Sequence, residues 1–218
     1  KKTTLKTFGS KKLLWEFEKP APGPPCKNNM GIPFGFPYCS KYIECPLPTS
    51  KWPLSYDGRQ SKKKFALGIL TADCAPVFIY DSKKKIISAI HAGWKGAYKR
   101  ILYKAIYEFK KKGSNVKDLN VVIGPCISKG NYEVKKDFLN RFLNQNKKNK
   151  HFFSFRRKKI FFSLNEYIVN QLKNIGVKNI EIINKDTYLN KNNFFSSRRS
   201  IKNNYDDYGR NISVIMIK

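Results

Sequence analysis

Short apolar runs separated by polar turns make up the chain from residue 65 onward. Residues 66–70, 76–80 and 86–90 are each apolar and of strand length, and residues 81–85 form a polar turn before the third run. This pattern predicts three neighbouring strands. We therefore expect side chains just before the second run and at the end of the third run to emerge at comparable edges of one sheet.

Helical spacing follows the third strand. Apolar residues recur at steps of three and four from Ala97 to Phe109, and a basic stretch followed by Gly113 predicts the end of that helix. Further along, Ser163 and Glu166 have the spacing of a capping box, and Gly176 ends the helix that follows. Two longer helices are therefore expected.

The remaining pattern predicts a mixture of short elements. It indicates strands at residues 119–123, 177–183 and 212–217, a shorter helix around 138–143, a surface loop at 144–150, two pairing strands at 151–155 and 160–162, and a long loop at 186–199. Strands alternate with helices and also follow one another directly. The expected fold class is therefore α/β, a single domain with a mixed β-sheet packed against helices.

The first 57 residues differ in composition from the rest. Nine of the eleven prolines fall between Pro20 and Pro53, together with three of the five cysteines. Proline interrupts both helices and central strands, so we expect mostly irregular chain with a strand at residues 13–17. The predicted organisation is an atypical Pro/Cys-rich N-terminal segment (1–57) before a catalytic-type α/β domain (58–218).

The chain of 218 residues carries a formal net charge of +29, which suggests nucleic acid as a partner. Its distribution favours another interpretation, because only 8 of the 44 basic residues are arginine and the lysines lie in short runs beside asparagines. We interpret them as a solvated surface and expect no specific nucleic-acid site. Weak, salt-sensitive polyanion binding is the alternative.

No uncharged apolar run approaches membrane-spanning length, so we expect no membrane association and a cytoplasmic location. We also expect a monomer. The five cysteines are an odd number, which disfavours a disulfide framework. Catalytic or metal-bound thiols are the preferred interpretation for some of them.

The candidate chemistry is concentrated in Thr71-Ala72-Asp73-Cys74 and His91-Ala92-Gly93-Trp94-Lys95-Gly96. A thiolate at a strand end can bind a soft cation, although a buried Cys often serves only as a small apolar residue. The glycines of the second motif free the backbone where a strand turns into a helix, so that its amide groups could bind phosphate. The alternative for His91 is a core imidazole bonded to a carbonyl.

Two later motifs add candidate residues. Ile123-Gly124-Pro125-Cys126-Ile127, with Tyr132-Glu133-Val134 beyond it, places a second thiol and a carboxylate near a strand end. Phe194-Phe195-Ser196-Ser197-Arg198-Arg199 offers two guanidinium groups beside aromatic rings, suited to an anionic substrate. Packing and an ordinary surface loop are the respective alternatives.

These four motifs, in this order and spacing, resemble the family of laccase-like polyphenol oxidoreductases, peptidoglycan editing factors and purine nucleoside phosphorylases. The resemblance covers about residues 56–218. It implies a zinc-dependent enzyme acting on purine nucleosides and phosphate: phosphorolysis, including that of methylthioadenosine, or deamination of adenosine.

The resemblance also implies roles for individual residues. Cys74 and His91 match two metal ligands, and with Asp73 they are the predicted catalytic residues. The predicted substrate and phosphate contacts are Gly93, Trp94, Lys95, Gly96, Cys126, Arg198 and Arg199. The family's third ligand is a histidine upstream, whereas residues 1–57 contain none. Asp186 stands where many members have cysteine before Thr-Tyr.

Several alternatives follow from that difference. Cys26, Cys39 or Cys45 could replace the third ligand, or the chain could be a catalytically impaired member that acts as a binding protein. A hydrolase that edits peptidoglycan precursors is a further alternative. Copper is the less favoured metal, because a blue-copper site needs two histidines and a cysteine.

Overall fold

A computed structural model describes residues 4–8, 11–15, 56–57, 66–205 and 208–217, with backbone alone in the first three ranges. The described strands are β1 (Thr4–Phe8), β2 (Lys11–Trp15), β3 (Tyr56–Asp57), β4 (Ala66–Thr71), β5 (Ala75–Asp81), β6 (Ile86–Ala92), β7 (Leu119–Ile123), β8 (Glu133–Val134), β9 (Phe153–Arg156), β10 (Lys159–Phe162), β11 (Asn179–Ile182) and β12 (Asn211–Met216). The described α-helices are α1 (Trp94–Tyr98), α2 (Ile101–Lys111), α3 (Lys136–Gln145), α4 (Leu164–Ile175) and α5 (Ser197–Lys202).

The central sheet has five strands in the order β11-β7-β5-β6-β3. β11 runs parallel to β7, and the other neighbouring pairs are antiparallel. The described residues also form three smaller sheets, β1-β2, β12-β4 and β8-β10-β9. The predicted fold class is confirmed: the chain is a mixed α/β domain with several sheets packed against helices.

Alternate residues of the central strands face two separate cores. Val77 and Ile79 of β5 join a cluster that also contains buried residues of α2, α3 and α4. Phe78 between them faces the opposite cluster, which includes Leu67 of β4 and Ile215 of β12. Because strand side chains alternate between faces, the central sheet is covered by helices on one side and by β4 and β12 on the other.

Most predicted elements from residue 66 onward are confirmed within a residue or two, but the long helix over residues 97–109 was wrong as one element. Arg100 has a left-handed backbone with φ 60°, and it separates α1 from α2. A single non-glycine residue in this conformation interrupts the helical hydrogen bonding without any signal in the apolar spacing.

The capping box was also wrong, although α4 begins after Ser163 and ends before Gly176 as predicted. The Ser163 side chain makes no capping hydrogen bond, and its backbone N–H donates to the carbonyl of Phe152 at 2.8 Å. A backbone hydrogen bond to Phe152, and not a side-chain cap, therefore anchors the residue before this helix.

Three predicted irregular stretches contain structure. Residues 147–152 form a 3-10 helix that begins in the loop predicted at 144–150 and extends into the strand predicted at 151–155, and the predicted long loop contains a 3-10 turn at Asn190–Asn192 and the start of α5. In the N-terminal segment, β1 pairs with β2, where only residues 13–17 had been assigned a strand. Most of residues 1–57 lie outside the described residues, so the domain boundary stays a prediction.

Candidate functional site

Strand register brings the first two motifs together where β5 begins and β6 ends, at one end of these paired strands. Ala75 pairs with Ala92, and Pro76 pairs with His91. A Cβ atom built at Gly93 would lie 2.8 Å from Sγ of Cys74 and 4.0 Å from Cδ2 of His91. The thiol and the imidazole therefore flank the same point, and a side chain at position 93 would collide with the thiol.

The protonation of this pair follows from burial. Burial and, to a lesser extent, the neighbouring Asp73 carboxylate together raise the pKa of the Cys74 thiol to about 12. Burial lowers the pKa of His91, which a hydrogen bond with the Leu70 backbone partly offsets and the charge of Arg210 reinforces. A thiolate–imidazolium nucleophile would need both pKa values to shift in the opposite directions, and the neutral imidazole that the lowered pKa favours is the form that binds a metal ion.

Asp73 joins the first motif to the last. Its carboxylate accepts hydrogen bonds from Oγ1 of Thr187 at 2.7 Å, from Oγ of Ser196 at 3.0 Å and from the backbone N–H of Arg198 at 2.7 Å. Its own backbone is left-handed, with φ 78°, and its carbonyl accepts from the N–H of Ile127 at 3.0 Å. These contacts hold the loop that carries Arg198 against the strand ends.

The two arginines of the last motif have different surroundings. The guanidinium of Arg199 donates to the carbonyl oxygens of Thr187, Tyr188 and Phe194 at 3.1, 2.8 and 2.6 Å, so it holds its own loop together. The guanidinium carbon of Arg198 lies 5.5 Å from the ring centroid of Tyr132. Arg198 is therefore the better placed of the two to meet an anionic substrate.

Tyr132 and Cys126 both interact electrostatically with Cys74. Burial is the main cause that raises the pKa of both groups, and the electrostatic effect of the Cys74 thiolate form is the second cause. The Cys126 thiol is buried and donates to Oδ1 of Asn165 at 2.9 Å. Both groups are thus neutral hydrogen-bond donors near neutral pH, whereas Glu133 forms an ion pair with Lys159, N–O 2.9 Å.

The residues after Gly93 form the helix start predicted to bind phosphate. The Trp94 ring packs against Phe138 with centroids 4.8 Å apart, and Nζ of Lys95 lies 5.6 Å from the Trp94 centroid. A Cβ atom at Gly96 would have no neighbour nearer than 3.6 Å. Because α1 has only five residues, its backbone dipole contributes little to anion binding.

The donor types at the strand ends fit zinc, which binds thiolate sulfur and neutral imidazole nitrogen. Cys74 and His91 supply one of each. Within residues 66–205 and 208–217 no group of three His, Cys, Asp or Glu side chains is placed to hold a metal ion. The alternative ligands Cys26, Cys39 and Cys45 lie outside the described residues.

Sequence reasoning missed the residues that tie the site together. Thr187 and Asn165 were not singled out, and Ser196 was named only as part of the last motif. Asp186 was noted only as a departure, yet its carboxylate accepts from Oγ of Ser128 at 2.5 Å and from Nδ2 of Asn131 at 2.6 Å. These partners lie 55 or more residues apart along the chain, and no local pattern encodes such contacts.

The sequence profile of the family described as multi-copper polyphenol oxidoreductase laccase matches residues 49–218. The chain belongs to this family. Relatives named purine nucleoside phosphorylase include one from Rickettsia conorii, 38% identical over 72% of this chain, and one from Borreliella burgdorferi, 40% identical over 62%. The matched parts cover 66% and 58% of those relatives, so the chain spans less than two thirds of their length.

Solved structures of similar fold support the membership. The structure titled hypothetical protein YfiH from Bacillus licheniformis matches 70% of this chain and 58% of its own, with a TM-score of 0.62 and 29% identity. A Neisseria meningitidis protein described by the family name DUF152 matches 70% and 60%, with a TM-score of 0.61 and 28% identity. None of the helices in the described part of the chain has the length and apolar run needed to cross a bilayer.

Proposed function

We propose that this chain is a zinc-dependent purine nucleoside phosphorylase whose reaction centre is the point flanked by Cys74 and His91. The observation that carries the proposal is the convergence of a thiol, a neutral imidazole and the Arg198 guanidinium at one sheet edge, in a family whose relatives bear that name. In phosphorolysis the glycosidic C–N bond breaks, a phosphate oxygen bonds to the sugar carbon, and the purine leaves with a proton.

Cys74 and His91 would hold the zinc ion, which when bound supplies Lewis acidity towards an oxygen atom of the substrate. Cys74 loses its proton on binding, since thiolate is the ligand form. Arg198, oriented by the Tyr132 ring and by the bond from its N–H to Asp73, would hold phosphate oxygens. Asp73 thus acts by positioning, because its carboxylate is already engaged by three donors.

The remaining predicted contacts have subordinate roles in this proposal. Gly93 leaves room for the thiol, and the Trp94, Lys95 and Gly96 backbone borders the site beside it. Cys126 lines the same region as a neutral group. Arg199 supports the loop that presents Arg198. Deamination of adenosine, in which water replaces the amino group and ammonia leaves, is a second activity of the same centre in this proposal.

Product analysis tests the proposal. Full-length protein with one equivalent of zinc is incubated with inosine, adenosine or methylthioadenosine, with and without phosphate, and the free purines and ammonia are quantified. We expect phosphate-dependent purine release, lowered at least about hundredfold by His91→Ala because a metal ligand is lost. His151→Ala is the matched control, since His151 is the other histidine and is exposed.

Three results would decide against the proposal. Purine release that needs no phosphate would indicate a hydrolase. Equal losses in the two histidine variants would place the chemistry elsewhere. Absence of both turnover and zinc retention would favour the catalytically impaired binding protein. That alternative is supported by the finding of only two metal donors at this centre among the described residues.

A further inference from the structure

A cleft that shares Arg198 with the proposed reaction centre has five cationic residues among the eleven that line it. Its volume is about 840 Å³. The charged residues that line it are Arg156, Arg157, Lys159, Arg198, Lys202 and Glu133. Glu133 is the carboxylate of this set and is already paired with Lys159, so the cleft carries a strong excess of positive charge.

Aromatic rings orient three of these cations. The guanidinium carbon of Arg156 lies 4.9 Å from the Phe161 centroid, and Nζ of Lys202 lies 5.9 Å from that of Tyr188. Arg198 lies over Tyr132 in the same way. Because these cations rest against aromatic rings, the rings arrange charge around the cleft.

The hairpin turn at the edge of the cleft has an unfavourable backbone for its sequence. Arg157 and Lys158 connect β9 and β10, and their φ values are 48° and 60°. Two-residue turns with both φ values positive favour glycine, asparagine and aspartate. A side chain kept where glycine is preferred points to a role for that side chain, and of these two residues Arg157 lines the cleft.

We infer that this cleft binds an oligophosphate anion, such as the phosphate chain of a nucleoside triphosphate. Its volume lies in the range of about 300–1,000 Å³ that is usual for small-molecule sites. Several converging guanidinium and ammonium groups match a ligand with adjacent negative charges, and guanidinium groups bind phosphate oxygens in pairs. The inference does not depend on zinc binding or on nucleoside turnover.

Calorimetric titration of the full chain with sodium tripolyphosphate tests the inference. Arg157→Gly removes one cation from the lining and relaxes the turn, and we expect it to weaken binding about tenfold. Lys158→Gly is the matched control, because it removes the same charge from the adjacent turn position outside the lining. We expect it to change the dissociation constant less than about twofold.

Two results would overturn the inference. One is the lack of measurable binding at millimolar tripolyphosphate in low salt. The other is equal weakening by both variants together with displacement of tripolyphosphate from the protein by duplex DNA, which would assign the binding to the general surface charge. Because the titration measures binding alone, its result stays distinguishable from failure of the phosphorylase assay.

Discussion

Gly93 is explained by the space around the Cys74 thiol. Its φ of −73° and ψ of 167° suit any residue, whereas an added Cβ would lie 2.8 Å from Sγ of Cys74. Its place between a strand and a helix predicts a glycine that is needed for backbone freedom. Close approach by the side chain of Cys74, from the bend between β4 and β5, is the better physical reason.

Gly93→Ala therefore should leave the chain folded but displace the thiol. We expect nucleoside turnover to fall by about tenfold to a hundredfold, since a shift of about 1 Å at a reacting centre costs that much. Zinc content and thermal unfolding are the accompanying measurements. Gly96→Ala provides the stability comparison, because its nearest neighbour would be 3.6 Å away. Full activity in Gly93→Ala would show that the thiol position is unimportant.

Among the elements, the β9–β10 hairpin retains two basic residues in left-handed conformations. Replacing either Arg157 or Lys158 by glycine should raise the free energy of unfolding by about 1 kcal/mol, because the left-handed conformation costs a non-glycine residue about that much. Urea denaturation of each variant checks this. A loss of stability in both would mean that side-chain contacts outweigh the backbone strain.

The elements also show how far local patterns reach. β5, β6 and β7 were predictable because apolar runs of strand length and polar turns are local properties. The break at Arg100 was not, since its left-handed backbone leaves the three- and four-residue apolar spacing intact. Ser163 had the right spacing for a capping box, but its side chain forms no capping bond. Tertiary packing decided both cases.

At the scale of the whole molecule, the candidate site depends on contacts between distant parts of the chain. β4 pairs with β12, and Asp73 bonds residues more than a hundred positions away. The sequence alone could indicate Cys74 and His91 as neighbours through one hairpin. It could not place Thr187 or Ser196 there, because the loop that carries these two residues reaches Asp73 only in the folded chain.

The proposed function depends on a zinc ion bound between Cys74 and His91. An anomalous-difference map at the zinc absorption edge, from crystals of the full chain grown with zinc, tests it most directly. We expect one strong peak about 2.3 Å from Sγ of Cys74 and about 2.1 Å from a ring nitrogen of His91, with any third ligand visible beside it. A map that shows zinc bound at other positions, but no peak between these two side chains, would exclude a zinc centre there.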